Sequence, residues 1–249
     1  MLNFKNLKIF YTTHTILENV SGHFYPREIV GIVGQNGVGK SSLLKTIAGL
    51  FPQYSGSIEL LDTPLQNLSL KRLAMLRSFL GPYKICHWDL KAEDILMIPK
   101  LQKGTSEYAQ EIREAFNITP LMEKSFCSLS SGEQSRILIV RSLLSVTPII
   151  FLDEPTANLD MQYQFVLMEI LKKEARKGRL IFIVLHNLNL AAEYCTRILL
   201  LEKGKIACDG PPDLVFRKET IHSCFNVHAH IIKTPQRKVS LVFSASKKH

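Results

Sequence analysis

Gly34-Gln35-Asn36-Gly37-Val38-Gly39-Lys40-Ser41 is the stretch on which the reading of this chain turns. It fits the spacing G-x-x-x-x-G-K-[ST] at every fixed position. Glycines let consecutive backbone N–H groups approach an anion, because no Cβ stands in the way. Lys40 adds a positive charge for the β- and γ-phosphates of a nucleoside triphosphate, and the Ser41 hydroxyl is a ligand for Mg²⁺. Gln35, Asn36, Val38 and, one residue on, Ser42 belong to the same turn. On one side Ile29 to Val33 is a short apolar run of buried-strand type. On the other, Ser42 to Leu50 carries Leu43, Leu44 and Ile47 on one face of a helix that can stop at Gly49. The phosphates then lie at a helix N-terminus, where backbone donors and the dipole favour an anion. A plain surface turn needs neither flank. The chain is expected to bind a nucleoside triphosphate.

Outward from this loop, Pro148-Ile149-Ile150-Phe151-Leu152-Asp153-Glu154 is continuous apolar sequence ending in two carboxylates. Such a run reads as a parallel strand covered on both faces, and ligands bind at the C-terminal ends of such strands. Asp153 is placed to hold Mg²⁺ directly or through water, and Glu154 to orient or deprotonate an attacking water. The alternative is a pair of strand-end acids facing solvent. Leu180 to Leu185 is a third buried strand and delivers His186 to the same edge, where its N–H could donate to a γ-phosphate oxygen. A histidine at a strand end is often only a cap.

Phe10-Tyr11 lies ahead of the loop. An aromatic face there could stack on a base, worth about 1–3 kcal/mol in nucleic-acid sites, or simply pack in the core. Leu129-Ser130-Ser131-Gly132-Glu133-Gln134 opens a helical pattern and makes a second anion site at a helix start. One protomer has one γ-phosphate for two such sites. The economical solution is a head-to-tail dimer in which each serine-glycine helix closes the other chain's nucleotide.

At 249 residues the chain is long enough for one large domain with an inserted lobe. An apolar share of 46% and a charged share of 21% are ordinary for a folded protein. No apolar stretch has bilayer-spanning length, and the N-terminus lacks the apolar region of a secretory signal. Five scattered cysteines without a C-x-x-C pair point to reduced thiols. His222, Cys224, His228 and His230 read either as a metal cluster of non-standard spacing or as alternation along a strand. The net charge of +9 is partly in the tail, with Lys233, Arg237, Lys238, Lys247 and Lys248. No zinc-finger or RNA-binding signature accompanies it, so no nucleic-acid partner is expected.

The motifs together resemble an ATP-binding subunit of an ABC transporter over nearly the whole length. Gly34 to Ser41 is similar to the Walker A motif, and Ile149 to Glu154 to Walker B with its catalytic glutamate. Leu129 to Gln134 resembles the family signature, with Ser131 in place of its first glycine; Ala157 to Asp160 resembles the D-loop, and His186 the switch histidine. Tyr11 falls where the adenine-stacking aromatic is expected. His186-Asn187-Leu188-Asn189-Leu190-Ala191-Ala192 resembles the corresponding run of importers for iron-siderophores, haem and cobalamin, as do Pro64 to Leu76 and the tail through Pro235.

The resemblance implies a P-loop NTPase α/β fold with a mainly parallel sheet and an N-terminal antiparallel β portion. It implies one nucleotide-binding domain over residues 1–249, a helical lobe at about 82–145 and a C-terminal extension at about 222–249. Glu154 and His186 would be catalytic. Tyr11, residues 34–42 and Asp160 would bind ATP with Ser130 and Gly132 in trans, and Ser41 and Asp153 would hold Mg²⁺. The implied assembly is a homodimer on the cytoplasmic face of the inner membrane, beneath two polytopic permease subunits served by an extracytoplasmic substrate-binding protein. Two other functions use the same motifs: a soluble non-transport ABC ATPase, and a weakly catalytic regulatory module.

Two departures bear on mechanism. The family carries a Q-loop glutamine that reaches Mg²⁺, and this chain has no glutamine between Gln66 and Gln102. Alignment on Trp88-Asp89-Leu90 puts Gly81 or Pro82 there, with Tyr83, Lys84 or His87 as nearby substitutes. Hydrolysis or its coupling is therefore expected to be altered. Arg27 stands where a glycine is usual before the first core strand, harmless unless that turn needs a positive φ.

Overall fold

Alternating burial in the first twenty-odd residues builds a hairpin, β1 (Leu2–Tyr11) and β2 (His14–Phe24), which inserts Leu2, Phe4, Leu7 and Ile9 on one side. The uniformly buried β3 (Ile29–Gly34) feeds the phosphate loop and α1 (Lys40–Ile47). The chain returns through β4 (Tyr54–Leu60) and the short β5 (Thr63–Pro64) to complete an antiparallel sheet of order β2-β1-β4-β5. After α2 (Leu70–Leu76) and β6 (Arg77–Leu80) come α3 (Ala92–Met97), α4 (Ser106–Ala115) and α5 (Ser131–Leu144). Then follow β7 (Ile149–Leu152), α6 (Met161–Arg176), β8 (Leu180–Val184), α7 (Leu188–Tyr194), β9 (Arg197–Glu202) and β10 (Lys205–Gly210). The C-terminal elements are α8 (Pro212–Val215), α9 (Lys218–Phe225) and the hairpin β11 (Val227–Lys233) and β12 (Val239–Ala245).

This computed structural model describes residues 1–82, 90–97, 106–233 and 239–245. Tyr83, Lys84, His87 and Trp88-Asp89 lie outside the described residues, as do Pro235 and the tail's Arg237, Lys238, Lys247 and Lys248.

The large sheet has the order β10-β9-β3-β8-β7-β6, parallel throughout except for β10. Its residue parity divides the core. Val30, Ile32, Phe151 and Phe182 face the antiparallel sheet and α1, while Ile29, Val33, Ile150 and Ile183 face the opposite layer of helices. Both faces are covered, which is why these strands read as unbroken apolar runs. The C-terminal ends of β3, β7 and β8 converge on one edge, and the functional residues stand there.

Two local findings refine the sequence reading. Arg27 has φ 74, so the turn does adopt the left-handed conformation that favours glycine, at a cost of about 1 kcal/mol. His222 and Cys224 lie on a helix, not on a strand; Ile221 and Cys224 form its buried face. Strand alternation begins only at Val227, leaving His228 and His230 exposed around buried Ala229. Among the described residues no group of three or more histidines, cysteines or acids is placed to hold a metal ion.

Candidate functional site

Backbone geometry makes the loop glycines necessary. Gly34 has φ 150, and a Cβ there would stand 2.4 Å from the Leu201 carbonyl oxygen. Gly39, at φ 107, is the N-cap of α1, and a Cβ there would meet Ile16 Cγ2 at 2.9 Å. Lys40, the first residue of α1, folds back so that Nζ donates to the carbonyls of Gly34 and Gln35, each at 2.9 Å. Only 5% of Lys40 is exposed, and burial holds its ammonium below the usual lysine range despite the carboxylates of Glu154 and Asp153 nearby.

Asp153 follows β7 and is buried. The Ser41 hydroxyl donates to its Oδ1 at 2.8 Å, and its backbone N–H donates to Leu80 O at 2.8 Å. Its Oδ2 is buried with no hydrogen-bond partner among the described residues. Burial pushes the carboxyl above its ordinary range, more than the Ser41 bond and the lysines pull it down. A hydroxyl and a carboxylate with a free buried oxygen form the all-oxygen donor set that a hard divalent cation takes, so these residues fit Mg²⁺.

The raised carboxyl gives a stability prediction. A carboxyl whose folded pKa lies above its unfolded value penalises the fold when ionised; the penalty is complete above the folded pKa and fades as pH falls through the unfolded one. Asp153→Asn should therefore stabilise the ligand-free protein at neutral pH, with the gain shrinking as the pH falls toward the ordinary carboxyl range. Thermal melts across that range check it. A variant less stable than the parent at pH 7 would contradict it.

Glu154 sits at φ 51, a left-handed conformation rare for a non-glycine residue and found where surroundings over-determine it. Its Oε1 lies 2.7 Å from His186 Nε2. Asn36, Gly37, Gly39, Lys40, Ser41, Ser42, Glu154 and His186 all line one cavity of about 460 Å³; Gly34, Gln35 and Val38 build the loop behind it. Eight expected residues thus converge from the ends of β3, β7 and β8.

The rest lie elsewhere. Tyr11 ends β1 at the hairpin tip, 61% exposed and outside the cavity lining. Its cross-strand partner His14 lines the cavity with Ile16, and neither was expected. The i, i+2 spacing of His14 and Ile16 on β2 was the available signal, but only the hairpin register shows which face meets the loop. Ser130 is the exposed N-cap of α5 in a capping box: Glu133 N–H donates to its Oγ at 3.3 Å, and its own N–H donates to Glu133 Oε2 at 2.8 Å. Gly132 allows α5 to approach Asn158, whose carbonyl oxygen would stand 3.1 Å from a Cβ. Asp160 is the exposed N-cap of α6. Ser130, Gly132 and Asp160 do not line this protomer's cavity.

Leu80 pairs with Leu152, so Gly81 and Pro82 follow β6 beside Asp153 and Glu154. They border a second cavity of about 140 Å³ against α5. Among the described residues, Gly81 and Pro82 bring no polar side chain from that strand end to the carboxylates.

The sequence profile described as ABC transporter matches residues 17–157, more than half the chain. The chain belongs to the ABC transporter family. The hemin import ATP-binding protein HmuV of Thermobifida fusca (strain YX) is 31% identical to it, over 97% of this chain and 88% of that protein. HmuV of Hahella chejuensis (strain KCTC 2396) is 32% identical, over 89% of this chain and 91% of its own. Among solved structures, the dimeric structure of MJ0796, a bacterial ABC transporter cassette, superposes with a TM-score of 0.75 at 25% identity, covering 85% of this chain and 99% of the other. This chain is accordingly an ATP-binding ABC transporter ATPase, with the α/β architecture that the motifs implied. Among the described residues no helix is long and apolar enough to cross a membrane.

Proposed function

We propose that this ABC ATPase hydrolyses ATP with Mg²⁺ to drive import of a metal chelate, haem being the foremost candidate among haem, iron-siderophores and cobalamin. The observation that carries the catalytic part is the Glu154–His186 pair at 2.7 Å, in the same cavity as Lys40. The similarity to hemin import ATPases along nearly the whole chain supports the cargo class.

In this reading the N–H groups at the start of α1 receive the phosphates. Lys40 turns from the carbonyls of Gly34 and Gln35 to the β- and γ-phosphates, whose charge offsets its burial. Ser41 and Asp153 would hold Mg²⁺, whose charge would offset that of the phosphates. Glu154 orients the attacking water and takes its proton, while His186 releases the carboxylate and donates to the γ-phosphate. Tyr11, free at the hairpin tip, supplies a face for the adenine beside His14. Ser130 and Gly132 of a second copy close the triphosphate from the open side, and Asp160 contacts it across the same boundary. The homodimer stands on the cytoplasmic face of the inner membrane, against polytopic permease subunits served by an extracytoplasmic substrate-binding protein.

Affinity purification of the tagged chain from detergent-solubilised membranes tests this. A polytopic subunit should co-purify in stoichiometric amount with ATPase activity stimulated by loaded binding protein; recovery only from the soluble fraction would contradict the importer reading. The cavity beside Gly81 and Pro82 favours slow hydrolysis in that complex. Pro82→Gln puts an amide beside Asp153 and Glu154 and should raise turnover about tenfold. Full substrate-stimulated turnover in the parent, unchanged by Pro82→Gln, would contradict this account of the missing side chain.

A further inference from the structure

The C-terminal unit is hydrogen-bonded to the phosphate loop at Gln35 and to the helix that follows His186 at Asn189. At one end the Gln35 side-chain amide donates to Cys224 O at 2.6 Å, at the close of α9. The buried Cys224 thiol in turn points to Leu201 O at 3.8 Å, the carbonyl against which Gly34 is packed. At the other end Asn189 exchanges two hydrogen bonds with the backbone of Leu241 in β12. Leu241 N–H donates to Asn189 Oδ1 at 2.7 Å, and Asn189 Nδ2 donates to Leu241 O at 3.0 Å. One side chain thus does what a neighbouring strand would do, satisfying a donor and an acceptor on the edge of β12.

Asn189 lies in the first turn of α7. Its backbone N–H and that of Leu190 donate to Asn187 Oδ1 at 3.0 and 3.2 Å. Asn187 is the N-cap and immediately follows His186, whose ring is 2.7 Å from Glu154. Hydrogen bonds therefore lead from β12 to the N-cap of α7, the peptide bond joins Asn187 to His186, and the histidine ring reaches the carboxylate. Buried Ala229 and Leu241 seat the hairpin in the same core as α7, so the series has a fixed base.

We propose that Asn189 is a positioning residue for ATP hydrolysis: it ties the C-terminal hairpin to the first turn of α7 and so sets where His186 stands beside Glu154. The hairpin and α9 then form a strap from the phosphate loop to the histidine, and movement of either end is transmitted to the other. The proposal rests on the assignment of Glu154 and His186 as the hydrolytic pair. If the hairpin were only a packed tail, losing the Asn189 bonds would lower stability without selecting one kinetic step. If it positions His186, the loss falls on turnover, because small displacements of a reacting group carry large rate penalties.

The test compares the full-length chain with Asn189→Ala, Asn189→Asp and His186→Ala, measuring the dissociation constant of a fluorescent ATP analogue, turnover at saturating MgATP and the melting temperature. Asn189→Ala should reduce turnover about tenfold with nucleotide affinity within about twofold of the parent. Asn189→Asp, which still accepts from Leu241 N–H, should regain at least half of that loss on a logarithmic scale. Turnover within twofold of the parent in Asn189→Ala overturns the proposal, as does a parallel fall of turnover, affinity and melting temperature that Asn189→Asp does not relieve. Unimpaired turnover in His186→Ala would refute the underlying assignment; an inactive His186→Ala beside a normal Asn189→Ala would refute the strap alone.

Discussion

Glu154→Gln should hydrolyse ATP at least about 100-fold more slowly than the parent while binding it at least as tightly. The carboxylate is constrained at both ends. Its backbone is held at φ 51, and its Oε1 is engaged by His186 at 2.7 Å. A glutamine of the same shape keeps these positions but cannot take a proton from water. It also removes a negative charge from a cavity that must receive a triphosphate, so ground-state binding does not suffer. The nucleotide then remains intact and the closed state accumulates. Single-turnover hydrolysis with light scattering in MgATP reads both effects: the expected outcome is a long-lived ATP-bound dimer, and the opposing one is a monomer that still turns over ATP.

Ser130→Asp should have an effect of similar size from outside the protomer's own cavity. Aspartate is as good an N-cap as serine and keeps the bond from Glu133 N–H, so α5 and the fold are preserved. It places a carboxylate at the exposed start of α5, where the proposed dimer brings the other protomer's γ-phosphate. Like charges there would oppose closure, and turnover should fall at least about 100-fold. Nucleotide affinity of the isolated protomer should stay within a few-fold, because Ser130 does not line that cavity. Equilibrium titration and steady-state assays separate the two, and a Ser130→Asp enzyme as active as the parent would show that this helix start never meets a phosphate.

What the sequence made legible was what local pattern determines. The phosphate loop, the apolar strands ending at Gly34, Leu152 and Val184, and the acids and histidine beyond them appear where residue order and period placed them. Helix α1 begins at Lys40, two residues earlier than its apolar face suggested, because Gly39 supplies the cap. The remaining features depend on contacts distant in sequence. His14 and Ile16 enter the cavity through hairpin register. The positive φ of Arg27 leaves no mark in a side chain of the wrong type for it. The Asn189–Leu241 bonds join residues 52 positions apart and involve a backbone that has no sequence signature. His222 and Cys224 looked alternating only because a helix meets a strand at Asn226, whose left-handed conformation ends α9.

The central claim is that each ATPase site is shared between two copies of this chain. It is tested most directly by mixing Lys40→Ala, which lacks the phosphate-binding ammonium, with Ser130→Asp, which lacks a usable closing helix. Each alone has two defective sites. In an equal mixture half the dimers are mixed, and each mixed dimer has one site built from the intact Lys40 of one copy and the intact Ser130 of the other. The account predicts recovery of about a quarter of parental turnover on mixing. A mixture as inactive as its two components would contradict it.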